Sequence, residues 1–185
     1  MKLHIKNMVS NRCKMIVRSE LDKLGLHYIL MNLGEVETME TLTVEQQALL
    51  NNGLKESGLS LIDDRKGILI ERIKNIIIEL VHYSDKQLKI NFSDYLSEKL
   101  NYDYTYLANL FKESQGTTIE HFLLTHKIER VKEFLVYDEL NITEIAYRMN
   151  YSSVAHLSNQ FKKITGLTPS HYKHLKLKRN PLENV

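Results

Sequence analysis

Leu107-Ala108-Asn109-Leu110-Phe111-Lys112-Glu113-Ser114-Gln115-Gly116 is answered fifty residues later by Leu157-Ser158-Asn159-Gln160-Phe161-Lys162-Lys163-Ile164-Thr165-Gly166. The correspondence runs on through Thr118, His121 and Phe122, matched by Thr168, His171 and Tyr172. Upstream it carries a one-residue slip, with Asn101-Tyr102 answering Asn150-Tyr151. Two copies make no solenoid, which needs several repeats to bury a continuous core. Two short helical units with matching polar outer positions instead present one surface twice. Double-stranded DNA suits such a surface, because its groove returns to the same face once per turn.

Each copy reads as a helix-turn-helix. In the second, Ile145, Ala146 and Met149 give a short buried face, and Asn150 takes the turn. A left-handed backbone is expected there, and asparagine tolerates it next best after glycine. Ser152 or Ser153 caps the following helix, whose buried stripe is Leu157, Phe161 and Ile164. Val154, Ala155, Ser158, Asn159 and Lys162 then face outward. Asn159 can pair bidentately with adenine, while Val154 and Ala155 suit thymine methyls. Ser153, Lys162 and Lys163 are placed for phosphates.

The first copy repeats this logic. Leu96, Ser97 and Leu100 lead into Asn101, and Asp103 caps a helix that buries Leu107, Leu110 and Phe111. Tyr104, Thr105, Ala108 and Asn109 face the bases, with Lys112 toward phosphate. Asp103 itself would repel a phosphate, so it reads as a cap rather than a contact. The side chains at Thr105, Ala108, Asn109, Val154, Ala155 and Asn159 are mostly small or amide groups, with no arginine, which predicts A·T-rich elements read through methyl contacts. The competing reading is a plain bundle of repeated hairpins. Equivalent outward asparagine and lysine in both copies weigh against it.

Working outward, residues 64–178 read as helical throughout. Asp63 or Asp64 caps a helix over 66–83, and helices follow over 92–100, 103–114, 118–136, 143–149, 153–165 and 169–175. The long one, 118–136, joins the two copies. From Lys162 to Arg179 the chain holds Lys162, Lys163, Lys173, Lys176, Lys178 and Arg179 and no acid. A basic patch and a solvated charged tail both account for residues 173–179.

Residues 1–63 have a different pattern. Leu3 and Ile5 alternate with polar neighbours, as in a strand. Cys13, Ile16, Val17, Leu21 and Leu24 share one helical face that Gly25 ends. Residues 26–33 and 35–41 read as strands around a turn at Gly34. Thr43 and Gln46 have capping-box spacing before a helix to Ser57-Gly58, and 59–62 reads as a last strand. The order β-α-β-β-α-β is the split arrangement of ferredoxin-like domains. The fold expected is therefore an α+β ferredoxin-like domain followed by an all-α domain with two helix-turn-helix subdomains.

Composition is that of a folded protein: 43% hydrophobic and 26% charged residues, with a net charge of only +2. No apolar run approaches the ~18 residues of a membrane span. The N-terminus lacks an apolar signal core, and the single cysteine suits a reducing compartment. A cytoplasmic protein is expected.

The second copy resembles the signature of the AraC/XylS-type transcription regulators in Ile145-Ala146, Tyr151, Leu157, Phe161-Lys162, Gly166, Thr168-Pro169 and Tyr172. Asn150 stands where that family usually has glycine. The resemblance covers about residues 67–175. It implies two recognition helices entering successive major grooves on one DNA face, with base contacts from Thr105, Ala108 and Asn109 and from Val154, Ala155 and Asn159.

Residues 1–63 resemble a heavy-metal-associated domain around Met8-Val9-Ser10-Asn11-Arg12-Cys13. That family binds soft ions through two cysteines, and here Ser10 replaces the first. Cys13 can be a buried structural thiol, a residual metal or thiol-reactive site, or a redox sensor. No other cofactor is implied.

The leading reading is a sequence-specific DNA-binding regulator with an N-terminal sensing or interaction domain. The alternative is a metal carrier with an accessory DNA module. Dimerisation and a small-molecule or metal effector are compatible with the first. An enzyme is not expected, since phosphate loops, nucleophile elbows and metal-hydrolase motifs are missing from the sequence.

Overall fold

The alternation of Leu3 and Ile5 builds β1 (Lys2–Lys6), with both side chains buried and Lys2 and Lys6 exposed. The structure is a computed structural model that describes residues 1–84, 88, 90–137 and 140–175. β1 is followed by α1 (Asn11–Lys23), β2 (Tyr28–Asn32), β3 (Glu35–Thr38), α2 (Val44–Glu56) and β4 (Ser60–Ile62). The strands form one antiparallel sheet in the order β2-β3-β1-β4. Leu3 faces Val36 across one ladder and Ile5 faces Leu61 across the other. Val17 and Leu21 of α1, Leu50 and Leu54 of α2, and Val36 are buried as the core of this layer.

Local chemistry sets the element ends. Thr43 and Gln46 complete the capping box of α2. Ser10 caps α1 through its hydroxyl, which accepts from the Cys13 N–H. Asp64 accepts from the Gly67 N–H at 2.6 Å and so starts α3 (Arg65–Ile78). The second strand is shorter than the residue pattern predicts, and its Ile29 and Leu30 lie exposed on the edge of the sheet. The helix expected over 66–83 runs as α3 and then widens into a π turn, Glu79–Tyr83.

The chain divides into two compact units, Met1–Asn75 and a second beginning at Ile76. The second contains α4 (Phe92–Leu100), α5 (Tyr104–Gln115), α6 (Ile119–Tyr137), α7 (Ile142–Arg148), α8 (Val154–Thr165) and α9 (Pro169–Leu175). α6 packs against α5, α7, α8, α9 and the π turn. That position buries Ile128, Val131, Phe134 and Leu135, and also His126 and Glu129. Glu129 is held by Lys132 at 2.5 Å, which keeps its buried charge paired. Among the described residues, no helix is long and apolar enough to cross a membrane.

Candidate nucleic-acid interface

Both helix-turn-helix hairpins turn through a left-handed asparagine, Asn101 (φ 57°) and Asn150 (φ 57°). Asn101 closes α4, and Asn150 follows the end of α7. The following helices α5 and α8 both end in a left-handed glycine, Gly116 and Gly166, whose N–H returns to the carbonyl of Lys112 and Lys162. Caps and turns thus coincide in the two copies.

The buried faces coincide as well. Leu107 and Phe111 of α5, and Leu157 and Phe161 of α8, are fully buried. Phe111 meets Phe122 edge-on at 5.5 Å, and Phe161 meets Tyr172 at 5.4 Å. Fixing those faces leaves the opposite ones outward. Thr105, Asn109 and Lys112 are exposed on α5, with Ala108 half-buried beside them. On α8 the exposed residues are Ala155, Asn159, Lys162 and Lys163, with Val154 half-buried. The spacing i, i+4, i+7 sets Thr105, Asn109 and Lys112 on one stripe, and Ala155, Asn159 and Lys162 on its counterpart.

Two predicted contact residues have work within the chain. Tyr104 is half-buried, and its hydroxyl donates to the Glu120 carboxylate at 2.5 Å. Burial, reinforced by that bond, pushes the phenol well above its ordinary value. The same bond holds Glu120 below the usual carboxylate range, against the effect of its burial. The bond ties the start of α5 to the start of α6. Ser153 is the N-cap of α8, accepting from the His156 N–H at 3.1 Å. Asp103 accepts from the Thr105 and Tyr106 N–H groups, as expected of a cap.

The two helix starts differ electrically. A carboxylate sits at the N-cap of α5, whereas α8 opens on a neutral serine with no acid in its first turn. A helix N-terminus of the second kind favours an approaching phosphate. Lys163 also stands where α5 has Glu113, so α8 is the more cationic helix. Lys173 is exposed beyond it, while Lys176, Lys178 and Arg179 lie outside the described residues.

His156 and Gln160 were not singled out by pattern. His156 Nδ1 lies 3.0 Å from the Ser152 hydroxyl, and Nε2 lies 3.1 Å from the Gln160 amide nitrogen. The amide nitrogen can only donate, so Nε2 accepts and Nδ1–H donates to Ser152. The i, i+4 spacing of Ser152, His156 and Gln160 was the available signal. His156 also meets the Tyr151 ring edge-on at 5.3 Å, and in the first copy the matching Tyr102 and Tyr106 are stacked at 5.5 Å and both exposed.

In the N-terminal unit Cys13 is buried, with its sulfur 3.2 Å from the Ser10 hydroxyl and 3.7 Å from the Asn7 carbonyl. A soft ion bound in the heavy-metal manner needs a second thiolate nearby. Ser10 cannot supply one and is occupied as a cap, so these residues do not fit that ion.

The second unit is therefore a paired helix-turn-helix body with two outward recognition helices. A family model described as a helix-turn-helix domain matches residues 96–174. The chain is 23% identical over 116 residues to the uncharacterized HTH-type transcriptional regulator YtdP of Bacillus subtilis (strain 168). That match covers 62% of this chain and 15% of YtdP. An uncharacterized HTH-type transcriptional regulator of Staphylococcus aureus is 40% identical over 78 residues, covering 42% of this chain and 10% of the relative. Among solved structures, the C-terminal domain of AraT, a response regulator from Geobacillus stearothermophilus, aligns with TM-score 0.52 and 28% identity. The alignment covers 64% of this chain and 93% of that domain. Residues 96–174 are an AraC-type helix-turn-helix domain, the DNA-binding part of AraC-type transcription regulators.

Proposed function

We propose that the whole chain acts as a sequence-specific transcription regulator that lays α5 and α8 into successive major grooves on one face of double-stranded DNA. The observation that carries this is the matched exposure of Asn109 with Lys112 and of Asn159 with Lys162, each on a stripe opposite a buried Leu-Phe pair. In this reading Thr105, Ala108, Asn109, Val154, Ala155 and Asn159 meet base edges. Tyr104, with its hydroxyl held by Glu120, offers its ring alone. Lys112, Lys162, Lys163 and the Ser153 end of α8 meet phosphates.

Residues 1–63 act as a ferredoxin-like sensing or interaction domain, and residues 64–178 as the DNA-binding domain. The sheet order β2-β3-β1-β4 and the two helices placed between its strands support the ferredoxin-like reading. Dimerisation and an effector site belong to this proposal, as does a cytoplasmic location. No catalytic role is assigned.

Footprinting of genomic fragments selected by the full chain tests it. Two protected elements should appear one helical turn, about 10–10.5 bp, apart on one face of the duplex. Affinity should fall linearly with log salt concentration. A single protected element, or binding indifferent to sequence, would sink the reading.

A further inference from the structure

Within the second unit a cavity of about 210 Å³ opens between α6, the π turn, the start of α4 and the turn after α7. Leu80, Leu123, Phe134 and Met149 give it apolar walls. Lys127, Arg130 and Arg148 line it with three cations. Its volume admits a small organic molecule.

The cations are held in place by the fold. Lys127 donates to the Met149 carbonyl at 3.1 Å and lies 5.2 Å from the centre of the Tyr151 ring. That bond uses one of the three donors of an ammonium. Arg130 and Arg148 both lie over the Phe134 ring, at 4.6 and 5.1 Å, and Glu133 pairs with Arg130. Burial lowers the Lys127 pKa from its ordinary value, so an anion beside it would restore stability to the charged form. Guanidinium groups over an aromatic wall suit a carboxylate whose apolar body fills the space beneath.

We infer that this cavity binds a small carboxylate with an apolar body, held by Lys127 and the two arginines against Leu123, Phe134 and Met149. Its walls come from α4, from α6 and from the turn that precedes α8. An occupant therefore touches both helix-turn-helix subdomains and the helix that spaces them. Such a ligand would set the spacing of the two recognition helices. This last consequence rests on the DNA-reading proposal, while the binding itself does not.

The test is a titration of the full chain with hexanoate, 1-hexanol and acetate, followed by ¹H–¹⁵N NMR. Hexanoate should bind saturably, with the largest shifts at Leu123, Lys127 and Met149, and at least tenfold more tightly than hexanol or acetate. Lys127→Gln and Arg148→Gln should each weaken hexanoate at least fivefold while leaving the remaining spectrum in place. Hexanol binding as well as hexanoate would overturn the proposal by removing the anion requirement. Acetate binding as well as hexanoate would overturn it too, making the cations a general anion surface with no use for the apolar walls. So would hexanoate binding that neither variant weakens. Because no DNA is present, these outcomes are independent of whether the chain reads promoters.

Discussion

The ring of Phe161 on α8 meets the ring of Tyr172 on α9 edge-on, at 5.4 Å and 79°. Fifty residues earlier Phe111 and Phe122 form the same pair at 5.5 Å and 64°. The sequence repeat is therefore a repeat of packing, in which each recognition helix is anchored by one buried phenylalanine. In the first copy the partner ring belongs to α6, and in the second to the short α9 that Pro169 begins. The same contact thus serves a continuing spacer helix in one copy and a terminal turn in the other.

Phe161→Ala and Phe111→Ala should each destabilise the second unit by about 3–5 kcal/mol, the range for removing a buried phenylalanine. Urea unfolding of the full chain, followed by far-ultraviolet circular dichroism, measures both. Equal losses would make the copies equivalent in packing. A loss below about 1 kcal/mol at either site would mean that its neighbours collapse into the space.

Asn101 and Asn150 hold left-handed backbone at φ 57°, where a β-branched side chain is strained. Asn150→Gly should leave stability unchanged or raise it slightly, and Asn150→Val should lower it by about 1–2 kcal/mol. Thermal unfolding of the two variants checks the sign. Valine tolerated without loss would show that this turn does not set the hairpin.

These turns, and the caps at Thr43 and Asp103, were legible because each obeys a local rule of backbone chemistry. The outward stripes on α5 and α8 were legible for a related reason: one buried leucine-phenylalanine pair fixes the opposite face. Other features depend on neighbours far along the chain. The Tyr104–Glu120 bond, which draws a residue read as outward back into the protein, is one. The burial of Glu129 and the His82–His126 contact are two more. They arise because α6 is enclosed from several sides, so polar positions outside its apolar stripe are covered as well. A one-face periodicity carries no record of that enclosure.

His126 is buried on α6, with Nδ1 3.3 Å from His82 Nε2 and its own Nε2 without a hydrogen-bond partner. Burial pushes its pKa down to about 4 from the ordinary 6.5. Between those values the unfolded chain binds more protons than the folded one. The stability this ring contributes is thus complete above pH 6.5, falls as pH drops, and levels off below about 4. The full change is about 3 kcal/mol, from ~1.4 kcal/mol per pKa unit. Urea midpoints between pH 4 and 7 should show this slope, and His126→Phe should flatten it. An NMR titration of His126 with its midpoint near 6.5 would mean that the ring meets solvent.

α5 and α8 differ in charge. α8 opens on a neutral serine and carries Lys162 and Lys163, whereas α5 opens on Asp103 and follows Lys112 with Glu113. Asn109→Ala and Asn159→Ala should each weaken specific binding by about 1–3 kcal/mol if both asparagines pair with a base. Lys162→Gln should instead weaken specific and non-specific DNA alike, and reduce the salt slope by about one. Fluorescence anisotropy on a selected site and on a scrambled duplex, at several salt concentrations, separates these effects. A loss at Asn159 with none at Asn109 would assign base reading to α8 alone. α5 would then position the protein on the backbone, despite carrying the same asparagine on the same exposed stripe.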